Sequence, residues 1–219
     1  KFGTSTYGST SKVDAHMMKN SEWGAVAYLS HSNYGINEEI YINNSSSYYT
    51  GRSGGNVGGS SSTNGTYTWD GKTTSGSYAS DRTLGTKAST TGNITGVYDM
   101  SGGAFEYVMG YYSGASTTWG ASSESNYAGF NSKPDSKYYD DYTTTNTLTA
   151  CNGGICYGHA LSETASWYSD YANFVNSNAP WFQRGGYYSD GANAGAFYSN
   201  FDICGASFYA SFRLVLSAV

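Results

Sequence analysis

From about Asn43 to Thr91, and again from Tyr111 to Ala150, the chain runs on Ser, Thr, Gly, Asn and Tyr with no helical periodicity. Stretches that long without regular structure are uncommon inside a compact domain, so they are functional insertions or they contain short strands. Helical spacing is confined to two places. Asp14 can cap a helix in which Met18, Trp23, Val26, Ala27 and Leu29 recur through HMMKNSEWGAVAYLSHS, ending before Gly35. A second helix is expected from about Ala160 to Phe174, where Leu161, Ala165, Tyr168 and Ala172 sit three or four apart and Ser162 or Thr164 could cap. Phe212 to Leu216 is a short β-rich run, expected as a central strand that ties this end of the chain into a sheet. These elements predict a single α+β domain over residues 1–219.

Composition narrows the function. Charged residues make up 12% of the chain, roughly half the usual share of about 25%. The 29 glycines show no three-residue period, and 17% aromatics supply apolar area that disordered chains lack. A net charge of −5 with no Lys/Arg cluster leaves no electrostatic footprint for nucleic acid or anionic lipid. No apolar run approaches the roughly 18 residues that span a bilayer, so direct membrane insertion is not expected. Lys1 is not an initiator, and the start is expected to be a processed or trimmed boundary with any targeting segment lost upstream. Abundant Ser, Thr, Asn, Gly and Tyr suits a surface or secreted protein.

Most short motifs fail on context. Gly51-Arg52-Ser53-Gly54-Gly55 has the letters of a nucleophile elbow but no apolar strand before it and no helix after it. His16, His31 and His159 stand in no Ser, Cys or metal motif. Cys151 and Cys156 close a short loop in which a disulfide is open to them, with free thiols as the alternative; together with His159 they lack a fourth zinc ligand, and Cys204 is left over. Asn43, Asn44, Asn64 and Asn93 form sequons that matter only in a glycosylating host. No phosphate loop or dinucleotide fingerprint is present, so no organic cofactor is expected.

Two segments carry more information: GVYDMSGGAFEYVMG from Gly96 to Gly110, and PWFQRGGYYSDGANAGAFYSNFDICGASFYASFRLVL from Pro180 to Leu216. Together they resemble the C-type lectin-like fold of the formylglycine-generating and sulfatase-modifying family. That family shows Gly-Leu-Tyr-Asp-Met-x-Gly-Asn-x-x-Glu-Trp, then Arg-Gly-Gly-x-Trp, then a closing Gly-Phe-Arg. The matches are Gly96, Tyr98 to Ser101, Gly102 and Glu106, then Arg184-Gly185-Gly186 and Phe212-Arg213, with Asn20 to Trp23 similar to the family's early helix. Departures are Gly103, Tyr107, Tyr188 and Ser211. The resemblance implies a fold with two helices, short antiparallel strands and long loop insertions. It also implies a structural calcium ion, held by the Asp99 carboxylate, the Gly102 and Ala104 carbonyls and the Glu106 carboxylate, with a metal-free carboxylate pair as the alternative. The family's oxidases use a cysteine pair ahead of the last motif, where this chain has Cys204 alone, so an enzyme is not expected.

The same fold is used by variable proteins of diversity-generating retroelements, on phage and on bacterial surfaces. Their closing region resembles Arg184-Gly185-Gly186, Gly191, Ala194-Gly195, Phe197 and Phe212-Arg213, a variable-type region over about 184–213. Between these frame residues lie Tyr187, Tyr188, Ser189, Asp190, Asn193, Tyr198, Asn200, Phe201, Asp202, Ile203, Cys204, Ser207, Phe208, Tyr209 and Ala210. Most of these residue types are reached by replacing adenines in an Asn codon, the retroelement's mode of mutation. Tyr and Phe beside small polar residues also suit a paratope, giving rigid aromatic area at low entropic cost. The resemblance therefore implies a non-enzymatic, extracellular binding domain, the C-terminal part of a longer protein on a bacterial surface or a phage virion. Its partner would be a variable protein or glycan ligand, with no nucleic acid. A sulfatase-modifying remnant and a structural pilus or adhesin module are the alternatives.

Overall fold

The computed structural model describes residues 13–40, 89–93, 95–113, 134–142, 157–165, 167–187, 190 and 193–218. The elements in chain order are β1 (Val13–Met17), α1 (Asn20–Ser30), β2 (Phe105–Tyr112), β3 (Asp140–Tyr142), β4 (Trp181–Gly185), β5 (Gly195–Asp202), β6 (Ala210–Phe212) and β7 (Leu214–Ala218). The fold is mixed α+β, mostly sheet, with α1 as the α-helix among the described residues.

Trp23 and Ala27, four apart and fully buried, set the inward face of α1. The helix starts later than the sequence suggests. Asp14 lies in β1, and the first turn is closed by Glu22, whose carboxylate accepts the Lys19 N–H at 2.9 Å. Gly24 is required by close approach: a Cβ there would sit 2.1 Å from the Gly158 carbonyl oxygen.

Strand β2 is the centre of a five-stranded sheet. One of its edges pairs antiparallel with β4, and β5 lies antiparallel outside β4. Its other edge is shared by two short parallel strands, β6 alongside Phe105 to Tyr107 and β3 alongside Gly110 to Tyr112. The outer edge of β5 is covered rather than open. Ser199 donates its N–H to the Tyr171 carbonyl and accepts the Asn173 N–H, while Tyr171 donates to Asn193. Strands β1 and β7 form a separate antiparallel ribbon, with Val13 opposite Ala218 and Met17 opposite Leu214.

Strand parity divides the sheet into two faces. Val108, Phe182 and Phe197 pack under Trp23 and Ala27 of α1, with Met100, Leu161, Phe174 and Val175 filling the same core. On the opposite face Met109, Tyr111 and Trp181 form a smaller cluster joined by Met17, Tyr107 and Tyr139. Trp23 ties helix to sheet by donating its indole N–H to the Ala196 carbonyl at 2.8 Å.

Two expectations need correction. Residues 160–174 hold no α-helix among the described positions. Ser162–Thr164 and Trp167–Ser169 are 3-10 turns, and left-handed φ at Ala160 (54°), Tyr168 (57°) and Ser169 (72°) interrupts the spiral. Glu163 accepts the N–H groups of Ala160 and Leu161, which closes a local turn at the start of this segment. The run at 212–216 is β-structure but not a central strand. It divides at Arg213 into β6 inside the sheet and β7 in the outer ribbon. Of the two long stretches, 41–88 and most of 114–150 lie outside the described residues, but Tyr111 and Tyr112 belong to β2, and β3 with a 3-10 turn at Ser136–Tyr138 falls within the second.

Candidate functional site: an aromatic surface at the start of the central strand

Phe105, the first residue of β2, is held along the β6 edge through both its backbone groups: its N–H donates to the Tyr209 carbonyl at 2.9 Å and its carbonyl accepts the Ser211 hydroxyl at 3.1 Å. Its ring stacks on Tyr187 (centroids 4.8 Å, planes 28° apart), meets Tyr209 edge-on at 6.1 Å and lies tilted against Tyr198 at 5.8 Å. Tyr187 and Tyr209 approach to 5.9 Å, Phe208 packs on Tyr209 at 4.9 Å, and Tyr171 extends the group through Tyr198 at 5.8 Å. Six rings from five segments thus form one cluster. Its outer members are open to solvent: Phe208 is 82% exposed, Tyr171 46% and Tyr209 38%.

The local sequence explains how the rings are placed. After β4 the chain turns through Gly185 (φ 82°) and Gly186 (φ 74°), and a Cβ on Gly186 would lie 2.8 Å from that of Ala194. Asp190 then folds the following turn. Its carboxylate accepts the Tyr187 N–H at 3.0 Å, its own N–H donates to the Tyr187 carbonyl, and its carbonyl accepts the Asn193 N–H. Desolvation holds the Asp190 carboxyl above its ordinary range, opposed by that Tyr187 N–H.

Beneath the rings is a hydrogen-bonded frame, in which Arg184 Nε and Nη1 have no hydrogen-bond partner among the described residues. Arg184, fully buried, donates to the Ala160 carbonyl at 2.6 Å and lies over Trp23; desolvation lowers its guanidinium to about 10. Asp202 accepts the Tyr107 phenol at 2.6 Å, the Gln183 amide at 3.1 Å and the Cys204 N–H at 3.0 Å. Desolvation, then Asp202, pushes the Tyr107 phenol far up. Desolvation and the Asp202 charge push the Cys204 thiol up to about 11.

The residues expected to bind fall into several groups. Tyr187, Phe208 and Tyr209 come together in the cluster, with Asp190 and Asn193 in the turn beside it. Tyr198 belongs to the cluster but is 3% exposed, so it supports the rings instead of presenting a surface. Asp202 is spent on internal hydrogen bonds. Phe201 is exposed, yet it pairs across the ladder with Phe182 on the opposite face from Tyr198. Asn200, Ile203 and Ser207 are half-buried, Asn200 accepting the Phe201 N–H. Tyr188 and Ser189 lie outside the described residues. Two members of the cluster, Phe105 and Tyr171, are absent from the sequence-based set. Phe105 sits inside the recognised Gly96 to Gly110 segment, and the alternation of FEYVMGYY was the signal that could have found it.

The segment expected to hold calcium has a different organisation. Glu106 is 6% exposed, and both its carboxylate oxygens accept from Arg213, one from Nε at 2.5 Å and the other from Nη2. Desolvation raises the Glu106 carboxyl and the Arg213 hydrogen bonds oppose it. Arg213 also donates to the carbonyls of Asp99 (3.0 Å) and Tyr98 (3.3 Å), while Gly102 donates its N–H to Gly185 at 2.8 Å. With both Glu106 oxygens taken by a guanidinium, the residues present do not fit a calcium ion held by that carboxylate.

The histidines serve local structure. His16 meets Glu22 at 2.8 Å, His31 meets Ser30 at 2.8 Å, and His159 meets the Tyr142 phenol at 2.7 Å. Cys204 is free and exposed among the described residues, whereas Cys151, Cys156 and the Gly51 to Gly55 motif lie outside them. Among the described residues no group of three His, Cys, Asp or Glu side chains is placed to hold a metal, and no helix is long and apolar enough to cross a membrane. A scan against protein-family models matches none of them, and a search of the curated proteins finds no match.

Proposed function

We propose that the chain is a non-enzymatic ligand-binding domain of C-type lectin-like fold, of the kind that retroelements diversify, and that the aromatic cluster around Phe105 is its binding surface. The observation that carries this reading is Phe208, a large apolar ring 82% exposed at the end of a cluster whose base is buried and hydrogen-bonded. A rigid base with an exposed aromatic rim suits recognition, because little ordering entropy is lost when the rim is covered. The domain would act outside the cell, on a bacterial surface or a phage virion, against a protein or glycan ligand.

The division between rim and frame makes a sharper statement than the sequence did. Diversification is tolerable at Tyr187, Asn193, Phe208 and Tyr209, whereas Tyr198 and Asp202 belong to the frame. Sequencing the 3′ end of the gene across one population tests this codon by codon. Substitutions concentrated at the rim positions support the proposal; a stretch from Tyr187 to Ala210 as constant as the rest would remove it. Phe208→Ala should leave stability within about 0.5 kcal/mol, as for an exposed site, and weaken binding of a captured ligand by at least roughly 30-fold, the effect of a hot-spot aromatic.

Chemistry of the sulfatase-modifying type at Cys204 would require a thiolate, which a thiol pushed up to about 11 does not supply near neutral pH. A structural-module reading has one observation in its favour. Phe212 (60% exposed), Leu214 (41%) and Leu216 (59%) alternate along the closing segment and face outward. That reading predicts self-association lost on Leu216→Ser and unaffected by Phe208→Ala, measured by sedimentation.

A further inference from the structure

Arg213 stands at the junction of β6 and β7 and reaches three separated parts of the chain. It grips Glu106 through two N–H groups, caps the Tyr98 and Asp99 carbonyls with others, and lies 5.3 Å over the Trp23 ring of α1. Glu106 is delivered to this point by its parallel pairing with Ser211. The Tyr98 and Asp99 carbonyls are delivered by a loop folded through left-handed φ at Asp99 (60°), Gly102 (76°) and Gly103 (80°). The Asp99 and Glu106 carboxylates are close enough for each to feel Arg213, and the Asp99 charge disfavours that of Glu106. Without the guanidinium, a carboxylate and two carbonyl oxygens would converge on one point with a second carboxylate nearby. Such a set of hard oxygens demands a cation.

We infer that Tyr98, Asp99 and Glu106 form a cation cradle and that the Arg213 guanidinium is the cation that fills it, so the frame of the variable-type region closes without a metal. A planar fork is needed: two donors match the carboxylate while the others reach carbonyls to one side, a pattern that a lysine ammonium cannot reproduce. Binding at the aromatic rim is then indifferent to chelators. Emptying the cradle by removing the guanidinium leaves a site for a hard divalent ion.

Thermal unfolding of the full chain tests this, with wild type, Arg213→Ala and Arg213→Lys each measured in chelator and in millimolar calcium chloride. Wild type should melt at the same temperature in both. Arg213→Ala should melt lower by roughly 10 °C, the scale for breaking a buried ion pair in a chain of this size, and calcium should restore part of the loss. Arg213→Lys should melt lower than wild type and gain nothing from calcium. Three results overturn the inference: calcium stabilising wild type in a way that Glu106→Gln abolishes, Arg213→Lys matching wild type, or a folded Arg213→Ala protein blind to calcium. If Arg213→Ala does not fold, the wild-type and Arg213→Lys measurements still decide it.

Discussion

Replacing Asp170 with Asn should remove a pH dependence built into the support of the aromatic surface. Asp170 is 5% exposed; its Oδ2 accepts the Phe197 N–H at 2.9 Å, and Oδ1 has no hydrogen-bond partner among the described residues. The carboxylate lies against the backbone of β5, where a Cβ on Gly195 would fall 2.0 Å from it. Desolvation, opposed by the Phe197 N–H and assisted by Glu39, raises the carboxyl from 3.8 to about 7, with Arg184 pulling it back. At 1.36 kcal/mol per unit, that rise corresponds to about 4 kcal/mol. The folded state binds this proton more tightly than the unfolded state does. Its contribution is therefore complete below the unfolded value near 4, declines as pH rises, and is gone above about 7. Urea unfolding followed by tryptophan fluorescence, at intervals from about pH 4 to pH 8, should show Asp170→Asn gaining on wild type by several kcal/mol across that range with unchanged m-value. Parallel stability profiles for the two proteins would refute the reasoning and show that Asp170 remains ionised in the fold.

Tyr107→Phe removes the phenol that donates to Asp202 at 2.6 Å; a charge-assisted bond of this kind should cost about 1.5–3 kcal/mol, and amide exchange at Cys204, whose N–H shares that carboxylate, should quicken. Gly24→Ala gains about 1 kcal/mol of helix propensity but places a methyl 2.1 Å from the Gly158 carbonyl oxygen. Since backbone is on both sides of that contact, the overpacking cost of up to about 3 kcal/mol or more should win, and the melting temperature should fall.

What the sequence disclosed depended on whether periodicity and local chemistry agreed. Around α1 they did: Trp23 and Ala27 are spaced for a helix and are both buried. Its cap was misplaced because Asp14 is a good cap residue that pairing with Ser217 holds in a strand, a partner 203 positions away that no window reveals. Leu161, Ala165, Tyr168 and Ala172 imitate a helix, but the backbone spends that segment on turns and on sealing the edge of β5. In the set that the resemblance implied, residue type alone could not separate Tyr198 from exposed rings such as Phe208, since exposure follows strand parity and the cover provided by Tyr171. Arg213 was read as part of a motif; its ion pair with Glu106 becomes visible only when β6 lies beside β2.

The pairing of β1 with β7 has a consequence for biosynthesis. Val13 finds its partner only when Ala218 exists, and β2 lacks β4 and β6 along its edges until the last fifth of the chain is made. At ribosomal speeds of about 5–20 residues per second, β1 waits roughly 10–40 seconds for its mate. So much non-local pairing places the chain among slow folders and leaves β2 without β4 and β6 meanwhile. Messages cut short before Trp181 would yield products lacking both the β2–β4 pairing and the closing β1–β7 ribbon, so the fold is completed only once this last segment has been made.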